Sequence, residues 1–135
     1  MKIVRFQFAR FAFFALILAT FGCSTQTAVM DIDGAAVPDG MSSAKVRSSI
    51  MEGCELRGWV CKDIDERTIR GSVWVRGKHF AEVEIKYDGS AYSIIYSDTK
   101  NLDYDQGDNT VHKNYNSWVA NLNGDIQMAL IKNAP

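Results

Sequence analysis

Hydrophobic positions divide the chain into an apolar leader, a stretch without periodicity and a region of regular alternation. The apolar run Phe11–Gly22 follows three basic residues, Lys2, Arg5 and Arg10. A helix needs about 20 apolar residues to span a bilayer core, whereas a basic start before a shorter apolar run is typical of a secretory signal. Residues 1–22 are therefore predicted to be a signal peptide, with an uncleaved N-terminal anchor as the alternative.

The segment after the leader has neither helical nor strand periodicity. Residues 24–42 are rich in Ser, Thr, Gly, Ala and Asp, a composition typical of linkers. Asp31-x-Asp33-Gly34 is faintly similar to the start of a calcium-binding loop, but no ligands follow at the spacing that such a loop needs. We therefore predict that residues 23–42 form a flexible tether.

Two stretches of the remaining chain carry apolar residues at helical spacing. The first predicts a helix from about residue 43 that Ser42 or Ser43 caps and Gly58 ends. The second predicts a helix over Val111–Lys132, with Asn109 or Thr110 as its cap and a kink or break at Gly124. The first apolar stripe comprises Val46, Ile50 and Cys54, and the second comprises Tyr115, Trp118 or Val119, Leu122, Ile126 and Ala129 or Leu130.

Between the helices, four stretches favour β-strands, most of them by period-two alternation. They are Trp59–Lys62, Thr68–Arg76, Phe80–Tyr87 and Ala91–Ser97. A two-residue turn at Asp88-Gly89 places Ile85 opposite Tyr92, and the preceding turn aligns Val73 with Val83. The prediction is one α+β domain over residues 43–135, a four-stranded antiparallel meander with one helix before and one after, both on one face (α-β-β-β-β-α).

Composition and charge narrow the class of protein. The chain has 135 residues, 47% of them hydrophobic and 23% charged, which fits one domain and excludes a largely disordered chain. It carries 15 basic and 16 acidic residues, and the leader holds three of the basic ones, so the rest has 12 basic against 16 acidic. Nucleic-acid binding needs a basic surface, so no nucleic-acid partner is expected.

The end of the leader carries a motif for lipid attachment. Ala19-Thr20-Phe21-Gly22-Cys23-Ser24 resembles a bacterial lipobox, in which a small residue precedes a cysteine that becomes the acylated N-terminus. A deprotonated thiol is a good nucleophile for such a modification. Ser24 after the cysteine is similar to the signal for outer-membrane delivery. We predict lipidation of Cys23 and a periplasm-facing protein anchored to the outer membrane; the alternative is ordinary cleavage at the same bond.

The other two cysteines lie at the end of the first predicted helix and in the first strand. In an oxidising compartment, Cys54 and Cys61 are candidates for a disulfide, and two separate buried thiols are the alternative. Their spacing differs from that of a redox C-x-x-C motif.

Apolar residues also occur on the face of the sheet predicted to be solvated. Trp74, Phe80 and Ile95 alternate there with charged residues. They are either covered by the tether and by long charged side chains, or they form a patch for a partner.

Catalytic and metal-binding signals are weak. His79 falls in a predicted turn and His112 in the first turn of the last helix, positions more typical of surface or cap residues. Asp103-x-Asp105-x-x-Asp108 has Asn114 where a calcium loop needs its bidentate Glu. No nucleophile or phosphate-binding motif occurs in the sequence. We therefore predict a protein that is not an enzyme and has no metal or cofactor.

Residues 43–132 contain several short motifs that are similar to those of a known group of proteins. They are Arg57-Gly58-Trp59, Ile85-x-Tyr87, Tyr92-Ser93-Ile94-x-Tyr96, Asn101-Leu102-x-Tyr104 and His112-Lys113-x-Tyr115-Asn116-x-Trp118. This set resembles a group of small Gram-negative lipoproteins without an assigned activity, and the resemblance implies an envelope location.

The resemblance leaves the function open, and two classes of function remain. One is a non-catalytic outer-membrane lipoprotein that contacts an envelope protein or a cell-wall component. The alternative is a small ligand-binding protein or hydrolase with a site in the Tyr104/His112/Tyr115 region. That pocket would be lined by Tyr96, Tyr104, His112, Tyr115 and Asn116. These residues equally suit sealing the sheet against the last helix.

Overall fold

The computed structural model describes residues 24–135, so the predicted signal peptide and Cys23 lie outside the described residues. Two helices and seven strands follow in chain order. They are β1 (Gln26–Ala28), β2 (Ile32–Ala36), α1 (Ser43–Arg57), β3 (Val60–Asp65), β4 (Thr68–Val75), β5 (His79–Tyr87), β6 (Ala91–Lys100), β7 (Thr110–His112) and α2 (Lys113–Asn133). The predicted α+β class is confirmed.

The main sheet has five strands rather than four, in the order β2-β6-β5-β4-β3, and β1 pairs with β7 in a separate two-stranded sheet. The predicted four-strand meander is present as β3 to β6, with antiparallel pairing throughout. The fifth strand, β2, pairs with the outer side of β6. The predicted architecture was therefore incomplete at this edge of the sheet.

Residues 24–42 do not form a tether over their length, and that prediction is wrong. The amide of Gly34 donates a 3.0 Å hydrogen bond to the Ser93 hydroxyl, and the amide of Val37 donates one to the Ser90 carbonyl. Ile32 packs against the core beside its register partner in β6. These partners lie more than 50 residues further along the chain, where the local composition of residues 24–42 gives no sign of them.

The strand register differs from the predicted one by two residues. Ile85 lies opposite Ile94 instead of Tyr92, and Val73 lies opposite Ala81. Because side chains alternate between the faces of a strand, a shift of two keeps every residue on its predicted face. The prediction of which side chains face the core is therefore correct, although the predicted register is wrong.

The longer turn between β5 and β6 explains part of this shift. The carboxylate of Asp88 accepts hydrogen bonds from the backbone amides of Ser90 and Ala91 at 2.7 and 2.9 Å. Such a side-chain turn leaves four residues, 88–91, between the register partners Tyr87 and Tyr92, where the predicted turn leaves two residues between register partners. The predicted two-residue turn is wrong for this reason.

Both helices begin and end at residues with identifiable caps. The Ser42 hydroxyl accepts from the amide of Lys45, and Gly58 has a φ of +75° at the C-terminal end of α1, as predicted. The side chain of His112, rather than Asn109 or Thr110, caps α2. Gly124 lies inside α2, which is continuous over 21 residues, so the predicted break is absent.

The core lies between the two helices and the inner face of the main sheet. At most 1% of each of the central side chains is exposed. From the sheet they are Ile69, Ala81, Val83, Ile85, Tyr92 and Ile94, and from the helices Val46, Ile50, Val119, Leu122 and Ile126. Gly53 of α1 lies so close to α2 that a Cβ atom there would be 2.6 Å from Cγ1 of Ile126.

A covalent bond joins this layer of helices to the sheet. Cys54 at the end of α1 and Cys61 in β3 form a disulfide in the structure. The sequence left open a disulfide or two separate buried thiols, and the structure contains the disulfide.

Candidate functional site

An aromatic patch lies on the face of the main sheet opposite the helices. Trp74 and Phe80 are register partners on β4 and β5, and their ring centroids are 4.9 Å apart. Lys100, the partner of Phe80 on β6, places its ammonium group 5.8 Å from the Trp74 ring and 5.5 Å from the Phe80 ring. We call these three residues the aromatic patch. Its cation–π contacts place the Lys100 ammonium against both rings.

Trp74 is the more exposed of the two rings of the patch, with 55% of the residue exposed. One prediction from the sequence was that residues 24–42 cover the apolar side chains on this face. Those residues instead pair at the edge strands β6 and β7 and leave the Trp74 ring open to solvent. An indole held this way is a typical anchor for a contact with another molecule.

Ile95 is not part of the aromatic patch. It lies opposite Glu84, four residues along β5 from Phe80, or about 13 Å away at the usual rise of a strand. Arg70 lies between Glu82 and Glu84, at 3.6 and 3.7 Å from their carboxylate oxygens. These charged side chains separate Ile95 from Trp74, so the predicted three-residue patch reduces to its Trp74–Phe80 part.

The alternative pocket contains a cluster of three aromatic rings that runs from buried Tyr115 to Tyr104, which is 38% exposed. The Tyr96 ring stacks on Tyr104 at 4.5 Å and meets the edge of Tyr115 at 5.5 Å. Tyr115 is fully buried, and within the described residues its hydroxyl has no hydrogen-bond partner. Burial raises the pKa of the Tyr115 phenol far above its usual range, and the nearby Asp31 carboxylate raises it further.

The two other residues of that predicted pocket have structural partners. The side chain of Asn116 donates to the carbonyl of Ala28 at 2.8 Å and accepts from the amide of Met30 at 3.0 Å, so it holds the N-terminal segment. His112 accepts the amide of Asn114 at its Nδ1 atom, at 3.2 Å. Asn116 and His112 therefore make local structural contacts, and the three tyrosines contact one another in a ring cluster.

Substitutions of two buried tyrosines test this assignment. Tyr92→Phe is expected to lower the free energy of unfolding by about 1.5 kcal/mol, because the Tyr92 hydroxyl donates to Asn123 and accepts from Gln127. Tyr115→Phe is expected to leave the free energy of unfolding unchanged or to raise it, because it removes a buried hydroxyl without a hydrogen-bond partner among the described residues. Urea denaturation of both variants measures the difference; a larger loss for Tyr115→Phe would contradict the structure.

A cleft of about 420 Å³ brings the two histidines of the chain together, which the sequence did not predict. Its walls come from the turn before β5, the segment after β6 and the start of α2. It is lined by Lys78, His79, Asn101, Leu102, Asp103, His112 and Asn114. His79 Nδ1 lies 2.8 Å from the carbonyl oxygen of Asn101, so both histidines bond to backbone groups. In sequence, these residues are too far apart to indicate one site.

Within residues 24–135, no three His, Cys, Asp or Glu side chains lie where they would hold one metal ion together. In this range, no helix has both the length and the apolar character needed to cross a bilayer. The predicted lipidation site, Cys23, lies outside the described residues.

Comparison with known proteins adds no relative. No protein-family model matches the sequence, and no curated protein or solved structure matches it. The similarity to Gram-negative lipoproteins therefore stays a prediction that rests on the motifs within residues 43–132.

Proposed function

We propose that the chain is a non-catalytic lipoprotein of the outer membrane, acylated at Cys23 and facing the periplasm, that contacts another component of the envelope through the aromatic patch. The observation that carries this proposal is the exposed Trp74 ring, paired with Phe80 and covered on one side by the ammonium group of Lys100. The basic leader and the Cys23-Ser24 motif supply the location.

The patch has the physical properties of a binding surface. Its neighbours already fix the Trp74 ring, so a partner that buries the indole loses little side-chain entropy on binding. Burial of an exposed indole is favourable because it removes a large apolar area from water. The ammonium group of Lys100 beside the ring adds a preference for a partner with negative charge.

Cross-linking in cells tests the contact. A photoreactive amino acid at Ser72, two residues from Trp74 on the same face of β4, is expected to form an adduct with the envelope component. Trp74→Glu is expected to remove that adduct, because it replaces the indole with a charge. The matched control is Ile131→Glu, since Ile131 is 69% exposed on α2, away from the patch. Equal amounts of adduct from the Ser72 probe alone, with Trp74→Glu and with Ile131→Glu would contradict the proposed contact surface.

The anchor needs a separate measurement. The intact mass of the protein isolated from membranes is expected to correspond to a chain that begins at Cys23 and carries acyl groups. Cys23→Ser is expected to abolish both the added mass and the membrane association, since stable anchoring depends on the acyl chains. A mature chain without acyl mass would contradict the lipoprotein proposal and leave the patch result unaffected.

A further inference from the structure

The aromatic patch lies at the same end of the domain as the turn between β4 and β5. Phe80 and Lys100 are register partners at the ends of their strands. The next residue after Lys100, Asn101, donates from its side chain to the carbonyl of Lys78 in that turn, at 2.7 Å. The turn, the patch and the segment after β6 therefore form one continuous surface.

The chain enters the folded domain at this same end. The amide of His112 donates to the carbonyl of Leu102 at 2.7 Å, which places β7 beside the segment after β6. The next amide, that of Lys113, donates to the carbonyl of Thr25 at 2.8 Å. Thr25 is therefore fixed beside the first residue of α2, close to the cleft that contains both histidines.

Almost no free chain separates Cys23 from this surface. Thr25 is held by Lys113, and the hydroxyl of Ser24 accepts from the amide of Gln26 at 3.3 Å. Two extended residues reach at most about 7 Å. The headgroup layer on each side of a bilayer is about 5–7 Å thick. An acyl chain on Cys23 therefore brings this end of the domain into contact with the headgroups.

The charge at this end differs from that of the whole chain. The exposed cations are Arg76, Lys78, Lys100 and Lys113, and the exposed carboxylates are Asp98 near the end of β6 and Asp103, Asp105 and Asp108 in the segment after it. The chain after the leader has an acidic excess, with 12 basic against 16 acidic residues. The four cations close to an exposed tryptophan suit an interface with anionic lipid headgroups, because cations are attracted to the negative surface charge and indoles favour the interfacial layer.

We propose that this end of the domain, which we call the docking end, lies directly on the headgroup layer of the membrane that holds Cys23. It consists of the aromatic patch, the turn residues Arg76–Lys78 and the start of α2. The inference rests on the proposed acylation of Cys23 and names the envelope component that the patch contacts as the lipid surface. The cleft with His79 and His112 then lies beside the headgroups.

Fluorescence quenching measures this orientation in the full acylated protein. The protein is placed in vesicles of phosphatidylethanolamine and phosphatidylglycerol that contain a lipid with a nitroxide on its headgroup. One fluorophore is attached at Asn114→Cys and, in a second sample, at Ile131→Cys; both positions are exposed. They lie about 25 Å apart along α2. We expect strong quenching of the label at position 114 and none at position 131.

A spacer variant separates true docking from simple proximity. Twelve Gly and Ser residues inserted between Ser24 and Thr25 give the domain about 19 Å of additional reach. If the docking end binds headgroups, the label at position 114 stays quenched in this variant. Trp74→Glu in the spacer variant is then expected to abolish the quenching, whereas Met128→Glu, at a residue 62% exposed on α2, leaves it unchanged.

Each other outcome overturns the inference in a different way. Vesicle-bound protein without quenching at position 114 shows that the domain stands away from the surface, although the anchor is intact. Equal quenching at both positions shows that α2 lies along the membrane. Loss of quenching in the spacer variant alone shows that the anchor and not the surface makes the contact. A discrete protein adduct from Ser72 assigns the patch to a protein partner, and a chain without acyl mass removes both this inference and the proposed anchor.

Discussion

Gly53→Ala is expected to lower the free energy of unfolding by about 2 kcal/mol, although alanine favours a helix over glycine by about 1 kcal/mol. The new Cβ atom would lie 2.6 Å from Cγ1 of Ile126 and 2.8 Å from two backbone atoms of the same residue. A side chain can rotate away from such a contact, but the backbone of α2 cannot. The two helices must therefore separate, and the core between them loses its close packing.

The chain offers a matched control for this substitution. Gly124 also lies inside a helix, and a Cβ atom there would have no neighbour within 4 Å. Gly124→Ala is therefore expected to stabilise the protein by about 0.5–1 kcal/mol through helix propensity alone. Urea denaturation of both variants gives the comparison. If Gly53→Ala were as stabilising as Gly124→Ala, the close approach of α1 and α2 would be wrong.

Replacing both Cys54 and Cys61 with alanine is expected to lower the free energy of unfolding by about 2.5 kcal/mol. The disulfide closes a short loop between α1 and β3 and so restricts the unfolded chain. Cys54 is 2% exposed, so the loss of its sulfur from the core adds to the effect. The measurement is urea denaturation with and without a reductant.

The reductant serves as the internal control for the disulfide. It is expected to destabilise the wild-type protein towards the level of the double variant and to leave the double variant unchanged. Equal stability of the wild-type protein in both conditions would contradict a role for this bond. The result bears on location as well, because such disulfides form and persist in oxidising compartments.

The helices were the most predictable part of the fold. Ser42 and Gly58 are local signals, since a cap hydroxyl and a glycine with positive φ act within one turn of the helix end. The start of α2 was predicted two residues early, because Val111 belongs to β7 and His112 supplies the cap. Pairing of β7 with β1 decides that boundary, and this pairing joins distant parts of the chain.

The candidate site was predicted in part. The sequence identified Trp74 and Phe80 as apolar residues on a polar face, and the structure places their rings together. It also grouped Ile95 with them, because alternation reports the face of a strand but not the distance along it. The tyrosines were correctly associated with one another, and Tyr115, which belongs to the predicted apolar stripe of the last helix, is buried with its ring against Tyr96.

Local sequence patterns predict the α+β class, the four strands β3 to β6, the inward-facing residues and the ends of α1. Each depends on periodicity or on a cap, which act between residues close in the chain. Three features depend on tertiary contacts: residues 26–36 join two sheets, the register is shifted by two, and Thr25 is fixed beside Lys113. These features depend on backbone pairing between distant segments and on a turn set by the Asp88 side chain, so local patterns do not encode them.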